Sequence, residues 1–211
     1  MLKIINFKKH YQSFLALDIP QIDFKPGIHW IKGSNGSGKT TLFRSISGIL
    51  PYEGQIVLGQ TDQAKEPIKY RMMVNYGEAE PLYPGFLTAN DLITFTAKAK
   101  KATKQQIDLL VETFEIGSFM NNPTGSYSSG MLKKTSLILA FLGNPKLIIL
   151  DEPLVTIDAI SIQTTCNMVQ DFYLNQGVNF LISSHQNFEF TALTTHDTYQ
   201  VANQTISLIN A

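Results

Sequence analysis

Apolar and polar positions alternate over residues 1–60 in a way that predicts short strands broken by turns. Residues 54–58 fit a strand near a sheet edge, and residues 28–32, IHWIK, form a strand that runs directly into a glycine-rich loop. Residues 40–50, TTLFRSISGIL, follow as a predicted helix with one apolar face. That face is expected to carry Leu42, Ile46, Ile49 and Leu50.

The middle of the chain, residues 82–142, is predicted to be a helical insert. Residues 90–101 form one candidate helix. A second begins at Thr103, which forms a capping box with Gln106 three positions later, and Gly117 ends it. Its apolar residues recur at helical spacing, at Ile107, Leu110, Val111 and Phe114.

The last third returns to alternating strands and helices. Residues 147–150, LIIL, and residues 179–183, NFLIS, are short apolar runs typical of buried parallel strands. Residues 158–176 are predicted to form a helix that ends at Gly177, and the chain closes in a hairpin that turns at Asn203 and Gln204. Strands that alternate with helices predict an α/β fold with a mostly parallel central sheet.

Composition limits the classes of partner. The 17 Lys and Arg residues balance the 17 Asp and Glu residues, which argues against nucleic acid because phosphate backbones attract basic surfaces. The single cysteine, Cys166, rules out an internal disulfide and fits a reducing compartment. The longest apolar runs, near residues 137–142 and 147–150, are too short to span a membrane, and the polar N-terminus does not fit a signal peptide. A membrane role would therefore require a separate partner.

A phosphate-binding loop is predicted between the strand IHWIK and its helix. Residues 33–40, GSNGSGKT, match the G-x-x-x-x-G-K-[ST] motif in full. Glycines let successive backbone N–H groups face a phosphate. The positive end of the helix dipole, at the N-terminus of the following helix, also attracts the phosphate. Lys39 is expected to reach the β- and γ-phosphates, and the Thr40 hydroxyl to ligate Mg²⁺. The predicted contacts are Gly33, Ser34, Asn35, Gly36, Ser37, Gly38, Lys39, Thr40 and Thr41.

Two acids, Asp151 and Glu152, follow the apolar strand LIIL directly. They are expected at the C-terminal end of that strand, where α/β sheets bind ligands. Asp151 is predicted to hold Mg²⁺ through water, and Glu152 to act as general base on an attacking water. The pair favours a hydrolytic enzyme over a nucleotide kinase, which does not need the second acid as a water base.

The ordered motifs are GSNGSGKTT (33–41), YSSGM (127–131), LIILDEP (147–153), Ile157–Asp158 and SSHQ (183–186). Together they resemble the ATP-binding cassette ATPases of ABC transporters, from about residue 4 to residue 207. The resemblance implies a single P-loop NTPase domain over residues 1–211. Residues 1–81 and 143–211 would form the catalytic core with an antiparallel β-subdomain, and residues 82–142 the helical subdomain.

The resemblance also implies roles for individual residues. Tyr11 corresponds to the aromatic that stacks on adenine, Asp158 to an aspartate that crosses a dimer interface, and His185 to a histidine that contacts the γ-phosphate. The YSSGM segment of one subunit would contact the ATP held by the other. Its expected contacts are Ser128, Ser129 and Gly130.

The chain departs from the family pattern at two places. The family usually has glutamine in the loop before the helical insert, and the sequence leaves three positions open for it: Glu78, Ala79 or Glu80. Glu78 is the first candidate, and its carboxylate would coordinate Mg²⁺ or water. In the second motif, Tyr127 replaces a leucine and Ser129 replaces a glycine.

The resemblance therefore implies an ATP-hydrolysing subunit that pairs head to tail with a second copy or a homologous cassette. ATP and Mg²⁺ are the expected cofactors, and an integral membrane transporter subunit, docked around residues 82–100, is the expected partner. The expected location is cytoplasmic, at the inner face of the cell membrane. Two alternatives remain open: a soluble ATPase of this type in cofactor assembly or translation, and a nucleotide-dependent regulator that hydrolyses weakly.

Overall fold

The structure is a computed structural model and describes residues 1–184 and 196–210. Its strands are β1 (Leu2–Tyr11), β2 (Phe14–Phe24), β3 (Ile28–Lys32), β4 (Glu53–Leu58), β5 (Thr61–Asp62), β6 (Val74–Gly77), β7 (Leu147–Leu150), β8 (Asn179–Ser183), β9 (Asp197–Ala202) and β10 (Thr205–Asn210). Its helices are α1 (Lys39–Ile46), α2 (Pro67–Met73), α3 (Ala89–Lys100), α4 (Lys104–Thr113), α5 (Ser129–Phe141) and α6 (Ala159–Gln176). Within these described ranges, no helix has both the length and the apolarity needed to cross a bilayer.

Two sheets organise the fold. β2, β1, β4 and β5 form an antiparallel sheet in that order, and β10, β9, β3, β8, β7 and β6 form the central sheet. Neighbours in the central sheet run parallel except β10, which pairs antiparallel with β9 in a hairpin. The predicted α/β class, with a mostly parallel central sheet and an antiparallel β-part, is confirmed. The hairpin turn at Asn203 and Gln204 is also confirmed.

The central strand β7 is covered on both faces. Leu147 and Ile149 pack into a core cluster shared with β1 and α1, whereas Ile148 and Leu150 pack into a second cluster around α5. Successive side chains of a strand point to opposite faces, so both faces of β7 need apolar residues. This explains why the run LIIL has no polar position, and it holds the acids that follow at a fixed edge of the sheet.

The helices α3, α4 and α5 lie between β6 and β7 in the chain, in the segment predicted to be helical. α4 begins as predicted, because the Thr103 Oγ1 accepts a hydrogen bond from the Gln106 N–H at 3.2 Å. The other half of the predicted capping box is wrong. The Gln106 side chain instead bonds the Phe141 carbonyl at 3.3 Å and both backbone groups of Gly143 at 2.9 Å. Carbonyl groups at a helix end lack intrahelical partners, so Gln106 satisfies the end of α5 and ties α4 to it.

Other elements depart from the prediction. α1 ends at Ile46, so Ile49 lies outside the helix and is exposed instead of buried on its apolar face. Gly48 takes a left-handed conformation, with φ of 75°, directly after the helix. The sequence pattern does not reveal α2 or β6, because α2 is short and β6 contains the polar Asn75. The buried Asn75 amide donates to two carbonyl groups at the end of α5, at 2.8 and 2.7 Å.

Phe141 anchors the cluster around α5, with its ring centroid 5.0 Å from that of Phe172 and 6.3 Å from that of Phe180. We expect Phe141→Ala to lower the free energy of unfolding by about 3–5 kcal/mol, because it removes a fully buried ring and leaves a cavity. Phe95→Ala is the matched control, since that ring is exposed, and its effect should stay within about 0.5 kcal/mol. Urea denaturation measures both, and similar losses would contradict this view of the core.

Candidate functional site

The phosphate loop occupies the turn between β3 and α1. Gly36 and Gly38 have φ values of 78° and 106°, which glycine adopts without strain. A Cβ on Gly33 would come within 2.5 Å of the Ser37 Oγ, and a Cβ on Gly38 within 2.9 Å of Leu17. Gly38 is the N-cap of α1 and has no side chain to occupy the first N–H groups of that helix. The helix start therefore has the form of an anion-binding site.

Lys39 is almost fully buried within this loop. Its ammonium donates to the Gly33 carbonyl at 2.8 Å and to the Ser34 carbonyl at 3.1 Å. The side chain thus folds back along the loop from the first turn of α1. Its positive charge lies beside the backbone groups that would surround a phosphate.

Asp151 is fully buried at the end of β7, and three hydroxyl groups donate to its carboxylate. The Thr40 Oγ1 donates to Oδ2 at 2.7 Å, the Tyr76 hydroxyl to the same oxygen at 3.2 Å, and the Ser183 Oγ to Oδ1 at 2.5 Å. The sequence predicted Thr40 and Asp151. It did not single out Tyr76, and it assigned no role to Ser183, the first residue of the SSHQ segment. The Thr40 hydroxyl and the Asp151 carboxylate, which are hydrogen-bonded to each other, supply oxygen ligands of the kind that Mg²⁺ prefers. The described residues contain no group of three or more His, Cys, Asp or Glu side chains that could hold a metal ion by themselves. A metal at this place would need phosphate or water oxygens as well, which is how Mg²⁺ is usually bound.

Glu152 lines the cavity beside the phosphate loop. Its backbone N–H donates to the Ser183 Oγ at 3.0 Å, so one serine holds both acids of the pair. Glu152 has a φ of 46° and Thr156 a φ of 68°, both in the left-handed region that non-glycine residues rarely adopt. Such backbone costs energy and is concentrated at functional sites.

The cavity has a volume of about 800 Å³. The residues predicted as nucleotide contacts that line it are Tyr11, Ser34, Asn35, Gly36, Ser37, Gly38, Lys39, Thr40 and Thr41. Tyr11 is 46 % exposed, and its hydroxyl lies 3.4 Å from the Thr41 Oγ1. Its pairing partner in β2, the exposed Phe14, adds a second aromatic to this wall and was missed because nothing local distinguishes it. The turn at Asn203 and Gln204 also lines the cavity, and the Gln204 carbonyl accepts from the Asp18 N–H at 2.6 Å.

The three candidate positions for the family glutamine differ in location. Ala79 and Glu80 line the cavity, whereas Glu78 lines a smaller one of about 210 Å³ next to it. The Glu78 carboxylate lies 3.8 Å from the Arg44 guanidinium, and its backbone N–H donates to the Ser136 Oγ at 3.1 Å. The geometry therefore favours Glu80 over Glu78 as the acid of this loop that faces a bound nucleotide. The metal role of Glu78 stays a prediction without support from its position.

The YSSGM segment begins α5. Ser128 is the N-cap, and its Oγ accepts from the Met131 N–H at 3.2 Å. Ser128 and Ser129 are exposed, and neither they nor Gly130 lines the cavity of their own chain. A Cβ on Gly130 would come within 2.9 Å of the Thr156 carbonyl, so glycine is needed there for packing inside one subunit.

Asp158 caps α6. Its carboxylate accepts from the Ser161 N–H and the Ser161 Oγ, each at 2.8 Å, and lies 3.3 Å from the Lys134 ammonium. The two bonds from Ser161, the backbone one first, lower the pKa of Asp158 to about 2. The predicted roles of Ser128, Ser129, Gly130 and Asp158 at a neighbouring subunit stay predictions. His185 lies outside the described residues.

The order of these elements is that of a known family. The sequence model of the ABC transporter family matches residues 20–155, more than half of the chain. The chain belongs to the ABC transporter family. The resemblance drawn from the motifs is confirmed, and the chain is an ATP-binding cassette of the ATPase type found in that family.

Individual relatives of this ABC chain agree. The spermidine/putrescine import ATP-binding protein PotA of Nitrosospira multiformis is 27 % identical over 199 residues, which cover 92 % of this chain but only 55 % of PotA. The cytochrome c biogenesis ATP-binding export protein CcmA of Legionella pneumophila is 31 % identical over 191 residues, 86 % of this chain and 90 % of CcmA. The chain thus spans about half of PotA and most of CcmA. The cassette MJ0796, solved as a dimer in a post-hydrolysis state with ADP and Pi, shares the fold with a TM-score of 0.87 at 16 % identity, over 100 % of this chain and 98 % of that one.

The two acids of the loop after β6 provide a direct comparison. We expect Glu80→Ala to raise the Mg²⁺ concentration needed for tight ATP binding, because Glu80 lines the cavity and a carboxylate there would hold the metal or its water. Glu78→Ala is the matched control and should leave that concentration unchanged, since Glu78 lines the smaller neighbouring cavity and not this one. Mg²⁺ titrations of ATP binding by calorimetry distinguish the two, and a larger effect of Glu78→Ala would restore the original assignment.

Proposed function

We propose that this chain binds and hydrolyses ATP and thereby drives a separate membrane subunit. The observation that carries the proposal is the cavity in which the phosphate loop, an aromatic wall and Glu152 meet beside the Thr40–Asp151 pair. Lys39 and the N–H groups of the loop would bind the phosphates, and Tyr11 would stack on the base. Thr40 and Asp151 would hold Mg²⁺, which neutralises phosphate charge when it is bound.

Glu152 is the group proposed to take a proton from the attacking water. It is the acid of the pair that lines the cavity, whereas Asp151 is buried and accepts hydrogen bonds from three hydroxyl groups. Ser183 supports this division, because it bonds the Asp151 carboxylate and the Glu152 N–H at once. His185 is proposed to contact the γ-phosphate, by the family resemblance alone.

Pairing of two cassettes would complete each site. Ser128, Ser129 and Gly130 lie outside the cavity of their own chain, and Ser128 and Ser129 are exposed to a partner. A two-fold arrangement would place them against the ATP of the other subunit, a second copy or a homologous cassette. The dimeric form of MJ0796 supports this arrangement by analogy of fold. Hydrolysis removes the phosphate that joins the halves, and the dimer would then loosen.

The membrane partner is proposed to dock on an exposed apolar surface beside the loop after β6. This docking surface consists of Leu82, Phe86 and Phe95, which are 90 %, 80 % and 76 % exposed. All three lie within residues 82–95, and exposed apolar side chains that form a patch mark interaction sites. They fall within the segment expected to dock, so the proposed location is cytoplasmic, at the inner face of the cell membrane.

Hydrolysis itself can be tested at Glu152. We expect Glu152→Gln to lower the ATPase rate by about 10²-fold or more while ATP binding persists, because the amide cannot accept a proton. The matched control is Glu112→Gln, on the exposed side of α4, which should keep the parent rate. If the parent chain is as slow as Glu152→Gln, that result favours the alternative of a weakly hydrolysing regulator. The altered loop at Glu78 and the serine at Ser129 motivate that alternative.

The docking surface has a separate test. A tagged parent chain, purified from detergent-solubilised membranes of its own cell, should bring down a protein with several membrane spans. The double variant Leu82→Ser/Phe86→Ser should lose that protein, because it removes the apolar contact. Leu174→Ser changes an exposed apolar residue on α6, outside the docking surface, and should retain the membrane protein. Recovery of soluble partners alone would favour a soluble ATPase of the same type.

A further inference from the structure

Lys133 is a buried cation in the second turn of α5. It is 1 % exposed, and its ammonium donates to the carbonyl groups of Glu78 at 2.8 Å, Ala79 at 2.9 Å and Asp151 at 3.0 Å. An ammonium has three hydrogens to donate, so all three have an acceptor. The bonds reach two different segments, the loop after β6 and the end of β7.

Packing alone does not account for a lysine at this position. Burying a charge is costly unless hydrogen bonds and opposite charges compensate, and an apolar side chain of the same length would avoid that cost. Burial lowers the pKa of Lys133 to about 8, whereas the nearby carboxylates of Asp151, Glu152, Glu78 and Glu80 raise it. The Lys133 ammonium is therefore a desolvated cation with four carboxylates nearby.

The same helix turn makes further contacts with the site. Gly130 packs against the Thr156 carbonyl, and the Lys134 ammonium lies 3.3 Å from the Asp158 carboxylate. Both contacts involve the segment that follows Glu152. The start of α5 thus contacts the loop after β6, the end of β7 and the segment after Glu152. Of the contacts made by Gly130, Lys133 and Lys134, only those of Lys133 are buried hydrogen bonds.

We propose that Lys133 is a positioning residue that fixes the start of α5 relative to the phosphate site of its own subunit, and that ATP-driven pairing of two subunits depends on this link. The inference rests on the proposed function. In a two-fold dimer, each subunit offers its phosphate loop and its α5 start to the same partner. The relative position of those two elements within a subunit therefore affects whether both sites can close together. ATP binding to a single subunit needs no such constraint, because the cavity does not include the α5 start.

Lys133→Met tests the proposal, because it keeps the length of the side chain and removes all three hydrogen bonds. The parent is the full chain carrying Glu152→Gln, which should hold ATP without turnover. A fluorescent ATP analogue measures binding to the monomer at low protein concentration, and sedimentation measures the dimer dissociation constant with ATP and Mg²⁺. We expect monomer binding close to that of the parent and a dimer dissociation constant raised roughly tenfold or more.

Lys100→Met is the matched control. Lys100 is a half-buried lysine whose pKa is lowered to about 8, mainly by desolvation, and its ammonium donates to two carbonyl groups, those of Arg71 and Val74. Those acceptors do not line the nucleotide cavity. Lys100→Met should lower the melting temperature by an amount similar to that of Lys133→Met but leave the dimer dissociation constant unchanged. If Lys133→Met fails to fold, Lys133→Gln, which keeps two donors, should fold and show an intermediate weakening of the dimer.

The outcomes separate the two proposals. A Lys133→Met chain that pairs as tightly as the parent, or a Lys100→Met chain that is equally weakened, would overturn the role of Lys133 and leave the proposed function intact. A parent chain that stays monomeric with ATP and Mg²⁺ would overturn pairing with a second copy of the chain, and the inference with it.

Discussion

The nucleotide site depends on one buried carboxylate, that of Asp151. A fully buried charge is tolerated only when its oxygens are hydrogen-bonded, and here hydroxyl groups of Thr40, Tyr76 and Ser183 supply the bonds. These residues come from α1, β6 and β8, while the backbone carbonyl of Asp151 accepts from Lys133 of α5. Four elements that are far apart in the sequence therefore converge on a single residue, and the central sheet is what brings them within reach.

Much of this arrangement is predictable from local sequence. The phosphate loop follows from glycine spacing, because its backbone conformation requires glycine at Gly36 and Gly38. The run LIIL and the acids after it predict a buried parallel strand that ends at the site, and β7 has that position. The α/β class follows from the alternation of such runs with helices.

The features that could not be predicted depend on contacts between residues that are far apart in the sequence. Ser183 and Tyr76 are ordinary residues until the sheet places their hydroxyls beside Asp151, and Phe14 gains its role only through pairing with Tyr11. The strand β6 was not predicted because it contains the polar Asn75. The Asn75 side-chain amide is buried because it donates hydrogen bonds to carbonyl groups at the end of α5. The position of the acid in the loop after β6 was also unresolved by spacing, since one residue of shift moves a side chain from one cavity to the next.

The two sheets meet at the cavity. Tyr11 and Phe14 belong to the antiparallel sheet, the phosphate loop follows a strand of the central sheet, and the bond from Asp18 to Gln204 crosses between them. A nucleotide bound there would touch both sheets at once, and its binding energy would oppose any local opening that separates them. Occupancy of the cavity would thus determine whether the two sheets unfold together as one cooperative unit. The nucleotide would then stabilise the contact between the sheets in addition to being hydrolysed.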